Sequence, residues 1–327
     1  MVDPYADYIR ILGRGPTKSR HLTQAEAQAA FAGVLSGEMS DMQVGALLLL
    51  LRYRSESPAE LAGIVTAMRC HMRAGSVCEF ENLIDWPSTS SGKSRRLPWF
   101  LLSAKLLAEN GHKIFMHGFN SHLDNGLLTE DCLEAVGEKP ASSLAVARHR
   151  LENENFVYLP LRNFSPKLQE LLEIRSVLGV RSIVNTAVKL INPLAAKLTF
   201  LGIFHPAYIT LNMDAAALIG QPCLGVIKGG GGEAERNAGK AIKLYQIKDG
   251  LQTVSKWPSM TSGRPDYPVT VDYLSAIWRG SVQNDFAAKM VIGTAAQALY
   301  LTGHATTVGQ AERQATDYWQ GHLSRGM

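Results

Sequence analysis

The residues that most clearly suggest chemistry are four consecutive hydroxyl side chains at positions 88–91. Gly92, Lys93, Arg95 and Arg96 follow them, just ahead of a predicted helix. Because the amides and the dipole at a helix N-terminus favour negative charge, this loop predicts an anion site. A solvated basic loop that binds nothing is the alternative.

The triplet Gly92-Lys93-Ser94 is similar to the end of a phosphate-binding P-loop. A P-loop needs another glycine five positions before that Gly-Lys pair, and Pro87 stands there. The sequence therefore argues against a P-loop nucleoside triphosphatase.

A glycine run at residues 229–232 follows a predicted strand and precedes Glu233 and Glu235. Glycines at the carboxyl end of a parallel strand let the backbone approach a ligand, and two nearby carboxylates are able to hold Mg²⁺. A turn without a ligand is the other interpretation. His117-Gly118, at the end of another predicted strand, is a second candidate for a turn that faces a ligand.

Basic residues are distributed unevenly, although Lys+Arg 33 and Asp+Glu 29 give a net charge of only +4. Residues 13–21 and 174–213 contain no acid, and residues 93–113 hold five bases against the single Glu109. These stretches either converge into one positive groove or face solvent separately. Convergence would favour phosphate ligands, because a basic groove releases counterions when phosphates bind.

The first seventy residues predict a helical domain. Thr23, Ser40 and Ser57 each stand three residues before Glu26, Gln43 and Glu60, which is the spacing of a capping box. From residue 80 onward, short apolar runs alternate with helical segments, a pattern typical of a mainly parallel sheet covered by helices. A late hairpin turns at Asp249-Gly250.

The predicted fold class is α/β, with a small all-helical domain and a large α/β domain. Residues 1–78 form the helical domain, which a helix within about 165–190 rejoins. Residues 79–164 and 191–327 form the large domain. Four scattered cysteines indicate thiols rather than disulfides, and no apolar leader or span of about 18 residues is visible, so we expect a cytoplasmic protein that does not bind membranes.

The most specific motif is Arg-Ser-Val-Leu-Gly-Val-Arg-Ser-Ile-Val-Asn at residues 175–185, followed by Asn192-Pro193. With His117-Gly118 and His205-Pro206, it resembles the anthranilate phosphoribosyltransferase and nucleoside phosphorylase superfamily, glycosyltransferase family 3. The resemblance extends over nearly the whole chain. It implies a helical domain, a large α/β domain and a homodimer that forms through the helical domains.

Three motifs of that family are altered here. Its Gly-Thr-Gly-Gly-Asp cradle for phosphoribosyl pyrophosphate (PRPP) corresponds to residues 87–92, which begin with proline. Its Lys-His-Gly-Asn has become Met-His-Gly-Phe-Asn at 116–120, and its Mg²⁺-binding Asp-Glu pair appears as Ala234-Glu235, with Glu233 displaced by one. The resemblance thus implies a degenerate PRPP site at Ser88, Thr89, Ser91, Gly92, His117, Gly118 and Asn120.

The same departures resemble the second-class, YbiB-type branch of the family. Gly13-Arg14-Gly15, Pro87-Ser88 and Gly179-Val180-Arg181 carry this likeness. Members of the branch share the transferase fold and are regarded as dimeric nucleic-acid binders without sequence preference. This resemblance favours convergence of the basic stretches.

The first hypothesis is therefore a dimeric protein without transferase activity or cofactor that holds single-stranded or structured DNA or RNA by its phosphates. Trp99 and Phe119 either stack on bases or are ordinary core and cleft-wall aromatics. The predicted phosphate contacts are Lys18, Arg20, Lys93, Arg95, Arg96, Arg175, Arg181 and Lys189.

The second hypothesis is a Mg²⁺-dependent glycosyl- or phosphoribosyltransferase whose acceptor is not anthranilate. Arg175 would hold an acceptor carboxylate, and Glu233 or Glu235 would hold Mg²⁺. A nucleoside phosphorylase is a third possibility, for which the sequence offers no distinct base-reading motif.

Overall fold

The structure, a computed structural model of the 327-residue chain, describes residues 3–15, 17–72, 80–89, 96–119, 127–263 and 266–325. The chain divides into two compact units. The helical unit comprises residues 1–78, 165–195 and 210–221, and the α/β unit comprises residues 79–164, 196–209 and 222–327.

The helices and strands are named here in chain order. The helices are α1 (Ala6–Gly13), α2 (Gln24–Ser36), α3 (Asp41–Tyr53), α4 (Pro58–His71), α5 (Trp99–Glu109), α6 (Leu144–Asn153), α7 (Pro166–Glu173), α8 (Arg175–Leu178), α9 (Val184–Ala187), α10 (Ala207–Leu218), α11 (Val271–Trp278), α12 (Asp285–Thr302) and α13 (Val308–Arg325). The strands are β1 (Leu83–Ser88), β2 (Lys113–Gly118), β3 (Phe156–Pro160), β4 (Leu198–Ile203), β5 (Cys223–Lys228), β6 (Ile242–Lys248) and β7 (Leu251–Trp257). None of the described helices is long and apolar enough to cross a bilayer.

The helical unit begins with the three capped helices that the sequence predicts. The hydroxyls of Thr23, Ser40 and Ser57 accept hydrogen bonds from the third backbone amide of α2, α3 and α4, and the side chain at that position bonds back each time. These capping boxes satisfy amides that a helix start leaves unpaired, and the three predicted starts are confirmed. At Gly63, a Cβ atom would lie 2.2 Å from the carbonyl oxygen of Gln24, so α2 and α4 pack with their backbones close together.

A later segment joins this unit over a wider range than the predicted 165–190, since residues 191–195 and 210–221 belong to it as well. Arg69 on α4 donates to the carbonyl oxygens of Leu190 and Ile191, at 2.7 and 3.0 Å, and to Gln221 Oε1 at 3.2 Å. Asn192 Nδ2 donates to the same Gln221 oxygen at 3.2 Å. These long-range hydrogen bonds connect residues after 190 to the helical unit, and no local sequence pattern predicts them.

The α/β unit is built on a seven-stranded sheet with the order β3-β2-β1-β4-β5-β6-β7. The first five strands pair in parallel, while β6 and β7 add an antiparallel hairpin at one side. The hairpin turns through Asp249 and Gly250, both with positive φ, as a tight two-residue turn requires. The predicted α/β fold class, with a helical unit and a mainly parallel sheet, is confirmed.

A buried arginine anchors the loop that follows β5 in this unit. Arg236 is fully buried over the Trp257 ring, and it donates to Glu312 Oε1 at 2.7 Å and to the Pro258 carbonyl oxygen at 2.6 Å. Burial lowers the pKa of its guanidinium, and the Glu312 carboxylate works against that effect. The loop from β5 to β6 is therefore fastened to α13 and to the end of β7.

Candidate functional site

The carboxyl ends of the parallel strands meet at one edge of the sheet in the α/β unit. β1 is paired with β2 on one side and with β4 on the other, so the direction of strand progression reverses at β1. Ligands of open α/β sheets bind at such a reversal, beyond the strand ends. The candidate residues at these ends are Ser88, Gly118, Ile203 and Lys228.

The ends of β1 and β2 are closely packed. The Ser88 hydroxyl is buried and lies 2.6 Å from the Thr129 hydroxyl. A Cβ at Gly118 would lie 2.4 Å from both the Ser88 carbonyl oxygen and the Tyr158 hydroxyl, so only glycine fits there. Thr89, half-buried, follows β1 directly. Ser91, Gly92, Lys93, Arg95 and Asn120 lie outside the described residues.

His117 belongs to a buried polar group inside the sheet. Its Nε2 lies 3.1 Å from Asp85 Oδ1, and both side chains are almost completely buried. The Thr199 hydroxyl donates to the other Asp85 oxygen at 3.1 Å. The group links β1, β2 and β4 below their carboxyl ends, which gives His117 a role in holding the strands rather than in lining an open cleft.

In the glycine-rich turn after β5, backbone segments pack closely against one another. Cβ atoms at Gly202 and Gly229 would lie 1.8 Å from the Glu233 carbonyl carbon and 1.6 Å from its carbonyl oxygen, respectively. The missing side chains thus make room for the turn's own backbone at the ends of β4 and β5. Gly230, by contrast, faces open space.

Glu233 and Glu235, the candidate Mg²⁺ ligands, are both buried. Glu235 Oε2 accepts a hydrogen bond from the Phe100 amide at 3.0 Å, in the first turn of α5. Pro98, at the N-cap of that helix, supplies no side-chain cap, so Glu235 performs this role from a distant loop. Among the described residues, no group of three or more His, Cys, Asp or Glu is arranged to hold a metal. Glu235 therefore uses one of its two carboxylate oxygens to cap α5.

A cavity of about 450 Å³ opens beside this turn. Four cationic side chains line it, from Arg96, Lys228, Lys240 and Lys243, together with the single carboxylate of Glu235. In the described part of the chain, Lys228, Lys240 and Lys243 make no ion pair, so their charge is open to an anion. We call this space, lined by Lys228, Lys240 and Lys243, the lysine cavity.

Three arginines gather in the helical unit. Burial lowers the pKa of the Arg181 guanidinium, and the positive charges of Arg175 and Arg52 lower it further. Arg175 begins α8 and Arg52 lies in the last turn of α3, so three separate segments contribute. We call Arg52, Arg175 and Arg181 the arginine cluster.

The remaining predicted phosphate contacts differ in their surroundings. Arg20 donates two hydrogen bonds of 2.6 Å to Glu26, which raises the pKa of Arg20 and lowers that of Glu26 to about 2. Its charge is thus held by a carboxylate of the same unit. Lys18 is exposed, and Lys189 is half-buried just after α9.

The two aromatic residues are core residues. Trp99 is fully buried, and its Nε1 lies 3.3 Å from the Tyr267 hydroxyl. Phe119 is 8% exposed. Base stacking by Trp99 is therefore wrong, because neighbouring side chains cover its ring, and the core interpretation holds for both.

Comparison with known protein families matches two models to this chain. A glycosyl transferase family helical bundle domain matches residues 6–72, and a glycosyl transferase family a/b domain matches residues 99–321. The chain belongs to this glycosyl transferase family. The two matched domains follow the same order as the helical and α/β elements described above.

Relatives of this glycosyl transferase family member include enzymes and a protein without an assigned activity. It is 28% identical over 255 residues to an anthranilate phosphoribosyltransferase of Novosphingobium aromaticivorans, covering 78% of this chain and 76% of that protein. It is 29% identical over 207 residues to the uncharacterized protein YbiB of Escherichia coli, covering 63% and 64%.

Solved structures of the family share the fold. Anthranilate phosphoribosyltransferase of Thermus thermophilus has a TM-score of 0.78 at 22% identity, with 99% of this chain and 98% of that chain covered. The Saccharomyces cerevisiae enzyme in complex with PRPP and Mg has a TM-score of 0.78 at 16% identity, with 98% and 95% covered. At these identities the likeness shows the fold alone.

Four basic residues of the lysine cavity and the arginine cluster were not predicted from the sequence. Lys240 and Lys243 lie in a further acid-free stretch at residues 236–248, which is the signal that could have identified them, whereas Lys228 lies outside it. Arg52 gave no such signal, since Glu56 follows it within about one helical turn and lies 3.8 Å from it. Its place beside Arg175 and Arg181 depends on the packing of the helical unit.

Proposed function

We propose that the protein binds nucleic acid without sequence preference, through contacts between basic side chains and phosphates. The observation that carries this proposal is the arginine cluster. Like charges repel, and Arg175 and Arg52 together disfavour the charged form of Arg181. A row of phosphates would relieve that repulsion.

Arginine suits this task because its planar guanidinium makes paired hydrogen bonds to phosphate oxygens. Contacts to phosphates fix the position of a nucleic acid but carry no base information. Lys18, exposed on the same unit, adds a further positive charge. Sequence-independent binding is the expected result.

We further propose that the protein acts as a homodimer through its helical unit, as the family resemblance implies. Met42, Leu49 and Tyr53 are 86%, 41% and 89% exposed, and their spacing places them along one side of α3. Val177 on α8 is 82% exposed. Exposed apolar side chains of this kind favour burial against a second copy.

Fluorescence anisotropy with labelled single-stranded DNA across a salt series tests the binding proposal. We expect affinity to fall steeply with salt, because each phosphate contact releases counterions. The double variant Arg175→Gln/Arg181→Gln should lower the slope of log K against log salt by about 1 to 2, equally for all sequences.

Lys167→Gln is the matched control, because Lys167 lies on α7 of the same unit and pairs with Glu170 at 3.1 Å. It should leave the slope unchanged. A flat salt dependence in the unaltered protein, or equal slopes in the double variant and the control, would contradict the proposal.

A glycosyl- or phosphoribosyltransferase is the second candidate, favoured by family membership and by the lysine cavity at the strand ends. The cap that Glu235 gives to α5 counts against Mg²⁺-dependent chemistry at this pair. Calorimetry with PRPP, with and without Mg²⁺, tests it. Magnesium-dependent heat that Glu235→Gln abolishes would revive the transferase, and no heat at millimolar PRPP would remove it.

A further inference from the structure

The outer edge of the seven-stranded sheet carries an inference that is independent of the proposed function. We infer that β7 pairs antiparallel with β7 of a second copy of this chain, about a twofold axis at Val254, so that the two sheets join into one. This contact belongs to the α/β unit. It is therefore distinct from the homodimer proposed through the helical unit.

The two edges of the sheet differ in how far they are covered. β3, at one edge, is buried over its whole length. β7, at the other edge, has its first four residues exposed, and no described strand pairs with its outer side. It pairs with β6 without a bulge, and it contains no proline and a single charged residue, Lys256. Because bulges, prolines and charges are what usually protect an open edge, β7 is a template for a further strand.

The backbone groups of β7 alternate between hydrogen bonds to β6 and the open edge. Directly after β6, the Asp249 amide donates to the Pro222 carbonyl oxygen at 3.0 Å, on the side of β5. Since the directions alternate along an antiparallel strand, the odd-numbered residues of β6 bond toward β5 and the even-numbered ones bond to β7. In the register of the hairpin, those even-numbered residues face the odd-numbered residues of 251–257. The open edge therefore carries the amides and carbonyls of Gln252, Val254 and Lys256.

One register of self-pairing gives all of these groups a partner. When Val254 faces Val254 of the second copy, Gln252 faces Lys256 in both directions, and each outward amide and carbonyl is paired. An axis at Thr253 or Ser255 would leave one of the three outward residues unpaired. An axis at Lys256 would set two lysines against each other. Val254 is also the middle residue of the seven in β7.

The side chains of β7 suit the same register. Val254 is 54% exposed and would be covered by Val254 of the second copy. Leu251, which is 72% exposed, would stand opposite Trp257 on the other face of the sheet. Lys256 would face an uncharged amide rather than a cation. Apolar cross-strand pairs stabilise antiparallel strands, so both exposed apolar residues of β7 gain a stabilising neighbour.

The occupant of the edge is a second copy because the complementarity arises within one sequence. A twofold interface requires that the same patch fit itself, with residue i against j and j against i. The hydrogen-bonding groups, the apolar side chains and the lysine of β7 all meet this condition about one residue. The strand of an unrelated protein would have to match each of them separately.

Hydrogen exchange resolved to single amides tests the pairing on the full chain. We expect the amides of Gln252, Val254 and Lys256 to be protected at high protein concentration and to exchange rapidly on dilution. The amides of Thr253 and Ser255 bond to β6 and should stay protected at both concentrations. Sedimentation velocity over the same concentrations should show the corresponding change in mass.

The variant Val254→Lys sets two cations face to face at the axis, and it should weaken self-association through β7 at least tenfold. Val146→Lys is the matched control, because Val146 is 39% exposed on α6 of the same unit. It should leave the association unchanged. Protection of the Thr253 and Ser255 amides in Val254→Lys verifies that the hairpin still forms.

Three outcomes would overturn the inference. The first is rapid exchange of the Val254 amide at every protein concentration. The second is equal self-association of Val254→Lys and Val146→Lys. The third is protection of the outward amides that requires an added protein rather than more of this chain, which would assign the edge to a different partner.

The variant Met42→Lys/Tyr53→Lys separates this contact from the proposed dimer of the helical unit, because both residues are exposed on α3. It should weaken the helical contact and leave the concentration dependence of the β7 amides in place. Absence of protection at β7 together with salt-dependent DNA binding would remove the strand pairing alone. Paired β7 strands in a protein that does not bind DNA would remove the nucleic-acid proposal alone.

Discussion

The arginine cluster and the lysine cavity gather positive charge in different ways. The arginines come from α3, α8 and the segment after it, and their charges act on one another. The lysines surround a concave space with an apolar wall. The first arrangement suits a chain of phosphates of any length, while the second suits a ligand of limited size.

Arg236 and Arg20 illustrate a third use of positive charge. Each is held by a carboxylate of its own unit, Glu312 and Glu26 respectively. Such ion pairs stabilise the fold.

The largest expected effect is on the fold of the α/β unit. Arg236→Met removes a buried cation that bonds to Glu312 and to the Pro258 carbonyl oxygen, and it leaves both acceptors without that donor. Breaking a buried ion pair of this kind costs about 3 kcal/mol or more. Urea unfolding followed by tryptophan fluorescence should show this loss in the α/β unit.

Lys139→Met, an exposed change elsewhere in the α/β unit, is the control for Arg236→Met. Its unfolding midpoint should change little. If Arg236→Met unfolds at the same urea concentration as this control, Arg236 does not anchor the loop. The distinction between structural cations such as Arg236 and ligand-binding cations would then fail.

Variants of Glu235 test what the carboxylate of the lysine cavity contributes to stability and to anion binding. Glu235→Ala removes the cap of α5 and should cost about 1 kcal/mol of stability. Glu235→Gln keeps a carbonyl oxygen for the Phe100 amide, so it should retain most of that stability. Because it removes the negative charge, it should also strengthen pyrophosphate binding, measured by calorimetry. Equal destabilisation by both variants would show that the cap is not what Glu235 contributes.

The sequence predicted the elements well where the determining interactions are local. Thr23, Ser40 and Ser57 cap helices through residues three positions away, and this spacing is visible in the chain itself. The strands follow from short apolar runs, and the Asp249-Gly250 turn defines the hairpin. Such signals need no knowledge of the rest of the fold.

The site was harder to predict, because its partners are distant in the chain. The sequence offers Glu235 as a metal ligand, and it does not reveal that α5 takes its cap from this distant residue. Trp99 looked available to bases, yet the packing around it covers the ring. Lys228 and Lys243 share one cavity only because β6 pairs antiparallel with β5, and neither residue reveals this pairing by itself.

A smaller effect should appear in the pH dependence of the helical unit. The Arg20 guanidinium holds the pKa of Glu26 at about 2 in the folded state, below its ordinary value of 4.5. This pair therefore contributes stability that is present above pH 4.5 and is lost as pH falls toward 2. Because the pair is exposed to solvent, its contribution to stability is small.

Urea unfolding of the unaltered protein and Arg20→Gln, compared between pH 6 and pH 2.5, measures that contribution. The difference in stability between the two proteins should shrink as the pH falls. A difference that stays constant would mean that Glu26 is not titrating against Arg20.

The smallest effect is the most informative for the comparison between the two basic regions. Arg181→Gln relieves the repulsion among Arg52, Arg175 and Arg181, so the helical unit should become slightly more stable, by an amount that solvent screening keeps small. The same change should weaken binding of single-stranded DNA, and Lys167→Gln should do neither. Binding sites often hold charges that the fold alone would not retain, and a trade of stability for affinity is the signature of such a site. If Arg181→Gln lowers both stability and affinity, the arginine is a structural residue like Arg236, and the arginine cluster loses its claim to a ligand.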